Sequence, residues 1–141
     1  MTARQGYELV DHTADLGLRL WAPTREGVFV EAGKALFSLI CDPRTIEQVE
    51  TVEIRVEADD RELLLAAWID ELIYQFEATR ALFADFAFSE LDDTHLVARA
   101  SGERLDPTRH AVCGGVKAAT LCDLSVRERP DGWEGFVILD V

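Results

Sequence analysis

The 141-residue sequence predicts an α+β fold: a single-domain, two-layer sandwich in which two helices cover a mostly antiparallel or mixed β-sheet. Three observations predict it. Strand-like segments outnumber helical ones and tend to come as neighbours, which favours α+β over a regular strand–helix alternation. The segment after Asp59 carries apolar residues at helical spacing over a wide face. Pro130-Asp131-Gly132 separates the last two strand-like segments and is a strong hairpin turn signal. The length suits one domain of about 100–150 residues. With 48% hydrophobic residues the chain can build a core.

Tyr7 to His12 reads as a short strand, followed by a tight Thr13-Ala14 step. From Asp15 to Trp21 the pattern alternates, with Leu16, Leu18 and Leu20 on one face. Pro23-Thr24 opens a helix in which Val28, Ala32, Ala35, Leu36, Leu39 and Ile40 recur at helical spacing, and Asp42-Pro43 ends it. Gly27 and Gly33 inside this helix each cost about 1 kcal/mol relative to Ala, and close packing against the sheet would explain them. Thr51 to Ala58 alternates as a strand with one wet face. Asp59 with Glu62 resembles a capping box for the second helix, which carries Leu65, Ile69, Leu72, Ile73 and Phe76. Strands follow around Phe86–Phe88 and Leu96–Ala100, separated by the Asp92-Asp93 turn. An irregular passage then runs from Leu105 to Gly115. The last strands span Val116 to Glu128 and Trp133 to Val141.

Fourteen Lys and Arg against 27 Asp and Glu leave a net charge of −13. Direct nucleic-acid binding needs clustered cations and is not expected, nor is docking on anionic lipid; a basic partner or a metal cation fits better. Met1 to Gly6 has Arg4 but no apolar run behind it, so no signal peptide is expected, and no stretch approaches the roughly 20 apolar residues of a membrane span. The three cysteines, Cys41, Cys113 and Cys122, form no CxxC pair, and their odd number suits a reducing, cytoplasmic setting. Zinc binding through them is not expected, and Cys113 and Cys122 read as ordinary small residues.

Three features carry candidate chemistry. In Asp11-His12-Thr13-Ala14-Asp15, polar residues interrupt two strands. Carboxylates at a strand end can hold a hard cation, while the alternative is turn chemistry, in which Asp and Thr bond their own backbone. At the chain end, an apolar strand leaves Asp140 beside the expected free α-carboxylate of Val141. Two negative groups that close repel, and a divalent cation relieves them; the alternative is a solvated tail. Oxygen ligands alone favour calcium or magnesium. Lys117 follows Gly114-Gly115-Val116 and can reach a phosphate or carboxylate, although most lone strand lysines are simply solvated. His95 and His110 have no partner nearby in sequence.

Asp11-His12-Thr13-Ala14-Asp15-Leu16-Gly17 resembles the N-terminal signature of the archease family. The likeness continues through Pro23-Thr24, Ala35-Leu36-Phe37, Trp68 to Tyr74, Leu82 to Phe86, Gly102-Glu103, Val116 to Thr120 and the ending from Gly132-Trp133 to Val141, and so covers nearly the whole chain. The resemblance implies an archease-like fold and a helper protein for an RtcB-type RNA ligase, which joins ends bearing a 2′,3′-cyclic or 3′-phosphate to a 5′-hydroxyl. Such helpers promote guanylylation of the ligase and its multiple turnover, in tRNA splicing or RNA repair. It further implies a protein that is not itself an enzyme and a bound divalent cation, usually calcium, with magnesium as the alternative. The ligands carried over are Asp15, Asp140 and Val141, the last through main-chain or terminal oxygen, and Lys117 matches a family lysine needed for activation. The sequence departs from the pattern at Gly115, where many relatives are acidic, and at Leu121-Cys122, where they have an aromatic-His pair. Two rival readings are a metal-stabilised adaptor or chaperone-like module, and a small metal-dependent phosphoesterase using Asp11, His12 and Asp15. The second lacks a positioned nucleophile or a second ligand set.

Overall fold

The computed structural model describes residues 4–12 and 15–141, and of His12 the backbone alone. The Thr13-Ala14 step lies outside the described residues. Along the chain run β1 (Gly6–His12), β2 (Asp15–Ala22), α1 (Arg25–Ile40), a short 3-10 turn (Pro43–Thr45), β3 (Glu50–Glu57), α2 (Arg61–Thr79), β4 (Ala81–Leu91), β5 (His95–Arg104), β6 (Ala118–Arg129) and β7 (Gly132–Asp140). The α+β sandwich with two helices is as the sequence predicts, and the strands divide into two sheets. One has the order β1-β2-β7-β6 and the other β3-β5-β4, and every pairing is antiparallel.

Both helices contact both sheets. The first, α1, packs on β2, β7 and β1 of the larger sheet and on β4 of the smaller; α2 packs on β6 of the larger and on β3 and β4 of the smaller. A helix with two covered sides needs apolar residues round most of its circumference. Accordingly Val28, Phe29, Ala32, Ala35, Leu36 and Phe37 of α1 are all fully buried. The indole of Trp68 in α2 donates from Nε1 to the main-chain oxygen of Phe29 at 2.9 Å, which satisfies its one polar atom inside the core. Its ring meets Phe86 edge-on at 5.8 Å and Phe88 at 5.0 Å, joining both helices to β4.

Helix ends follow the local chemistry. Thr24 caps α1, its hydroxyl accepting from the Gly27 amide at 3.0 Å. The cap of α2 is Asp60 rather than Asp59: its carboxylate accepts from the Leu63 amide at 2.8 Å. That one-residue shift moves Glu62 out of the third helical position, so the expected capping box does not form. The helix closes at Arg80, which adopts the left-handed conformation (φ 60°) and donates its amide to Phe76 oxygen at 2.8 Å.

The two glycines of α1 are contact points. A Cβ on Gly33 would lie 2.7 Å from the Phe86 ring of β4, and one on Gly27 2.5 Å from Ala22 Cβ. Among the described residues no helix is long and apolar enough to cross a membrane. Gly33→Ala would gain helix propensity of about 1 kcal/mol yet force the buried Phe86 ring aside. The net result is a loss of about 1–3 kcal/mol, read as a lower urea midpoint. An unchanged or raised midpoint would show that the α1–β4 contact has slack.

Candidate functional site

Strand β7 lies between β2 and β6, and its register places the residues at one end of the sheet. Leu139 pairs with Leu16 of β2 on one side and with Ala119 of β6 on the other. One step further out, Asp140 pairs with Ala118, and Asp15 occupies the position facing it from β2. Directly opposed residues on neighbouring strands have Cβ atoms about 5 Å apart and project to the same face. Lys117 joins the group through the main chain: its amide donates to the Asp140 carbonyl at 2.8 Å. Asp15 and Asp140 are half-buried, whereas Lys117 and Val141 are exposed. Asp15 at the start of β2, Asp140 and Val141 at the end of β7, and Lys117 just before β6 thus meet at one rim.

The remaining candidates fall around that rim or away from it. The backbone of His12 pairs with Asp15, so it borders the rim, and the role considered for its side chain lies outside the described residues. Asp11 pairs with Leu16 and is exposed. Among the described residues no three His, Cys, Asp or Glu side chains converge as a metal centre. The rim offers two carboxylates and main-chain oxygens, which is the extent of the expected ligand set.

Asp70 is a contributor that sequence reasoning missed. From α2 its carboxylate accepts the Ala119 amide at 2.8 Å, two residues beyond Lys117. That amide lies on the outer edge of β6, so the helix occupies a strand edge that would otherwise be open. An acidic pair, Asp70-Glu71, between Ile69 and Leu72 on a helix gives no sign of such a partner.

Gly115 and Leu121-Cys122, where a departure from the archease pattern is expected, also lie close by. Between Thr120 and Ser125 the β6–β7 register slips, so that residues 121–124 stand against Val137 alone, and Asp123 takes a positive φ of 56°. This irregularity thrusts Leu121, Cys122 and Asp123 outward; Leu121 is 64% exposed. A side chain at Gly115 would meet no atom within 4 Å, so packing does not impose glycine there.

The passage from Leu105 to Lys117 lacks regular structure, yet buried polar groups hold its start. Glu103 accepts from the Glu47 amide at 2.6 Å, pairs with Arg109, and faces His110 Nε2 at 3.2 Å. His110 is buried, and its Nδ1 accepts from the Asp106 amide at 2.8 Å. Nδ1 is therefore the unprotonated nitrogen, and Nε2 carries the hydrogen shared between Glu103 and the Thr45 carbonyl at 3.2 Å. His110 thus has several partners in space, and His95, also expected to lack a partner nearby in sequence, has Asp92 at 2.8 Å and Glu90 at 3.5 Å. The Glu47 amide foremost, and then Arg109, hold the Glu103 carboxyl below its ordinary value of 4.5.

The model of the archease protein family matches residues 7–141. The chain belongs to the archease family. It is 40% identical to the protein archease of Methanopyrus kandleri over 96% of this chain and 99% of the relative. The archease of Pyrococcus furiosus is 34% identical over 96% of this chain and 98% of its own length. The archease of the fish Ictalurus punctatus is 33% identical over 96% and 85%. The solution structure of Methanobacterium thermoautotrophicum protein 1598 superposes with a TM-score of 0.82 at 29% identity, covering 96% and 99% of the two chains. A crystal structure of an archease from Thermotoga maritima, called a "possible chaperone", shares the fold with a TM-score of 0.63 at 17% identity, covering 94% of each chain.

The Glu103 network has a pH signature. A carboxyl held low in the folded state stabilises the fold above its unfolded value, and that contribution is lost as pH falls through the folded value. Glu103→Gln should therefore flatten the decline of stability below pH 4.5 and speed amide exchange across residues 106–113 at neutral pH. Equal acid sensitivity and unchanged exchange in the variant would show that Glu103 does not hold this segment.

Proposed function

We propose that this archease activates an RtcB-type RNA ligase, promoting its guanylylation and repeated turnover, and that Lys117 at the rim is the residue that acts on the ligase. Membership of the archease family supports the reading. The observation that carries it is the convergence of Asp15, Asp140, Val141 and Lys117 at one end of the four-stranded sheet, set by the pairing of Leu139. Residues drawn from three separate segments meet where a partner can reach them, and Lys117 is exposed.

The donors suit a hard divalent cation. Asp15, Asp140 and the Val141 main-chain oxygen supply oxygen alone, which favours calcium, with magnesium as the alternative. Among the described residues no Lys, Arg or His forms an ion pair with Asp15 or Asp140. A bound cation would relieve their repulsion and stiffen the junction of β2 and β7. The chain's own part is positional. The Asp140 carbonyl and the Asp70 carboxylate fix the backbone on either side of Ala118, so the Lys117 ammonium is presented from a held strand end. There it can meet phosphate oxygens or carboxylates of the ligase site as a point charge. The net charge of −13 steers this surface towards a basic, RNA-binding face and away from RNA itself. That partnership sets the protein in the cytoplasm.

A second reading, a chaperone-like adaptor with a purely structural cation, is favoured by exposed apolar residues such as Leu121 beside the rim. The two readings separate on Lys117. Guanylylation and multiple-turnover ligation by a cognate ligase should rise strongly with substoichiometric wild-type protein. Lys117→Ala should keep fold and cation affinity and lose at least tenfold in stimulation, while Asp15→Ala loses both cation and stimulation. Full stimulation by Lys117→Ala would favour the adaptor, and full stimulation by a cation-free Asp15→Ala protein would remove the cation from the account.

A further inference from the structure

Cys41 directly follows α1 and is 1% exposed; Cys113 lies in the irregular passage before Lys117 and is exposed. A main-chain bond joins their neighbourhoods, since the Cys113 amide donates to the Ile40 carbonyl at 2.8 Å. Standard bond lengths then keep the Cys41 and Cys113 Cα atoms within about 7 Å, the distance over which cysteines are bridged without moving much backbone. Both thiols are free. Cys41 Sγ has the Asp42 carbonyl at 3.9 Å and the Thr45 side chain nearby, and Cys113 Sγ has the Ala111 carbonyl at 3.6 Å.

We propose that Cys41 and Cys113 form a reversible disulfide, a thiol-modification site that ties the end of α1 to the passage leading into Lys117. The exposed Cys113 reacts first. Its thiolate attacks a small disulfide oxidant such as oxidised glutathione, forming a mixed disulfide and releasing one reduced glutathione. The Cys41 thiol then gives up its proton, and its sulfur displaces the second glutathione from Cys113 as the protein disulfide forms. Two protein thiols are oxidised and one glutathione disulfide is reduced to two thiols, so atoms and electrons balance. Burial foremost, and then the neighbouring Cys113, push the Cys41 thiol up, which fits a resolving partner that stays quiescent until an adduct forms beside it. The third cysteine, Cys122, is exposed on the β6 irregularity and has no such partner across a backbone bond. The bridge would add a covalent tie to a passage otherwise held by His110, Glu103 and the Cys113 amide. It stands independently of the ligase reading, because its readout is a thiol count.

The test uses folded Cys122→Ser protein, whose exposed substitution spares the core, titrated with oxidised glutathione. Wild-type protein is followed in parallel by peptide mapping. The proposal predicts loss of both remaining thiols, a mass lower by two hydrogen atoms without a retained glutathione, a Cys41–Cys113 linked peptide, and reversal by dithiothreitol. It also predicts slower amide exchange at residues 111–117 in the oxidised form. In Cys113→Ser, Cys41 should remain unreacted while circular dichroism reports a native fold. A stable glutathione adduct on Cys113 with Cys41 still reduced would overturn the proposal, as would no reaction at all.

Discussion

The pairing of Leu139 with both Leu16 and Ala119 is the constraint on which the rim depends. Leu139 is fully buried and Asp140, its neighbour, faces the other way. A slip of one residue in β7 would turn the Asp140 carboxylate to the face that Leu139 now fills. An unpaired buried charge costs several kcal/mol, so the hydrophobic pattern of β7 enforces the register that sets Asp140 against Asp15 and Lys117. Val137, Ile138 and Leu139 are all buried, so β7 is covered on both faces and Asp140 stands where its apolar run ends.

The helices turn that local register into a rigid element. Because α1 and α2 touch both sheets, the Trp68 and Phe86 contacts in the smaller sheet brace the same helix that carries Asp70 to the edge of β6. The rim is therefore held from the strand side by Leu139 and from the helix side by Asp70. The passage before Lys117 lies outside regular structure, and there buried polar bonds take the place of apolar packing. The site combines a base held by strand pairing with a segment held by buried polar bonds.

Much of this was legible in the sequence. Alternation of Leu16, Leu18 and Leu20, the Thr24 cap, the apolar face of α2 and the Pro130-Asp131-Gly132 turn each rest on local chemistry and mark their elements directly. Asp15, Lys117, Asp140 and Val141 were identifiable as polar or terminal breaks in apolar segments, and their matches to archease motifs joined them. What stayed hidden needs three-dimensional partners. The division into two sheets depends on which strands meet, which no alternation encodes. The β6 slip at residues 121–124 replaces pairing that Val116 to Glu128 reads as continuous. Asp60 displaced Asp59 as cap because two adjacent acids offer the same chemistry one residue apart. His110 and Asp70 gained their roles from residues far away in the chain.

The central claim is that the two chain ends and the start of β6 form one cation-responsive rim. A calcium titration of uniformly labelled protein, followed by amide chemical shifts, tests it most directly. The account predicts saturable shifts clustered at residues 15–16, 117–119 and 139–141. Shifts centred on other acidic positions such as Asp59 and Asp92, or no saturable response at the rim, would contradict it.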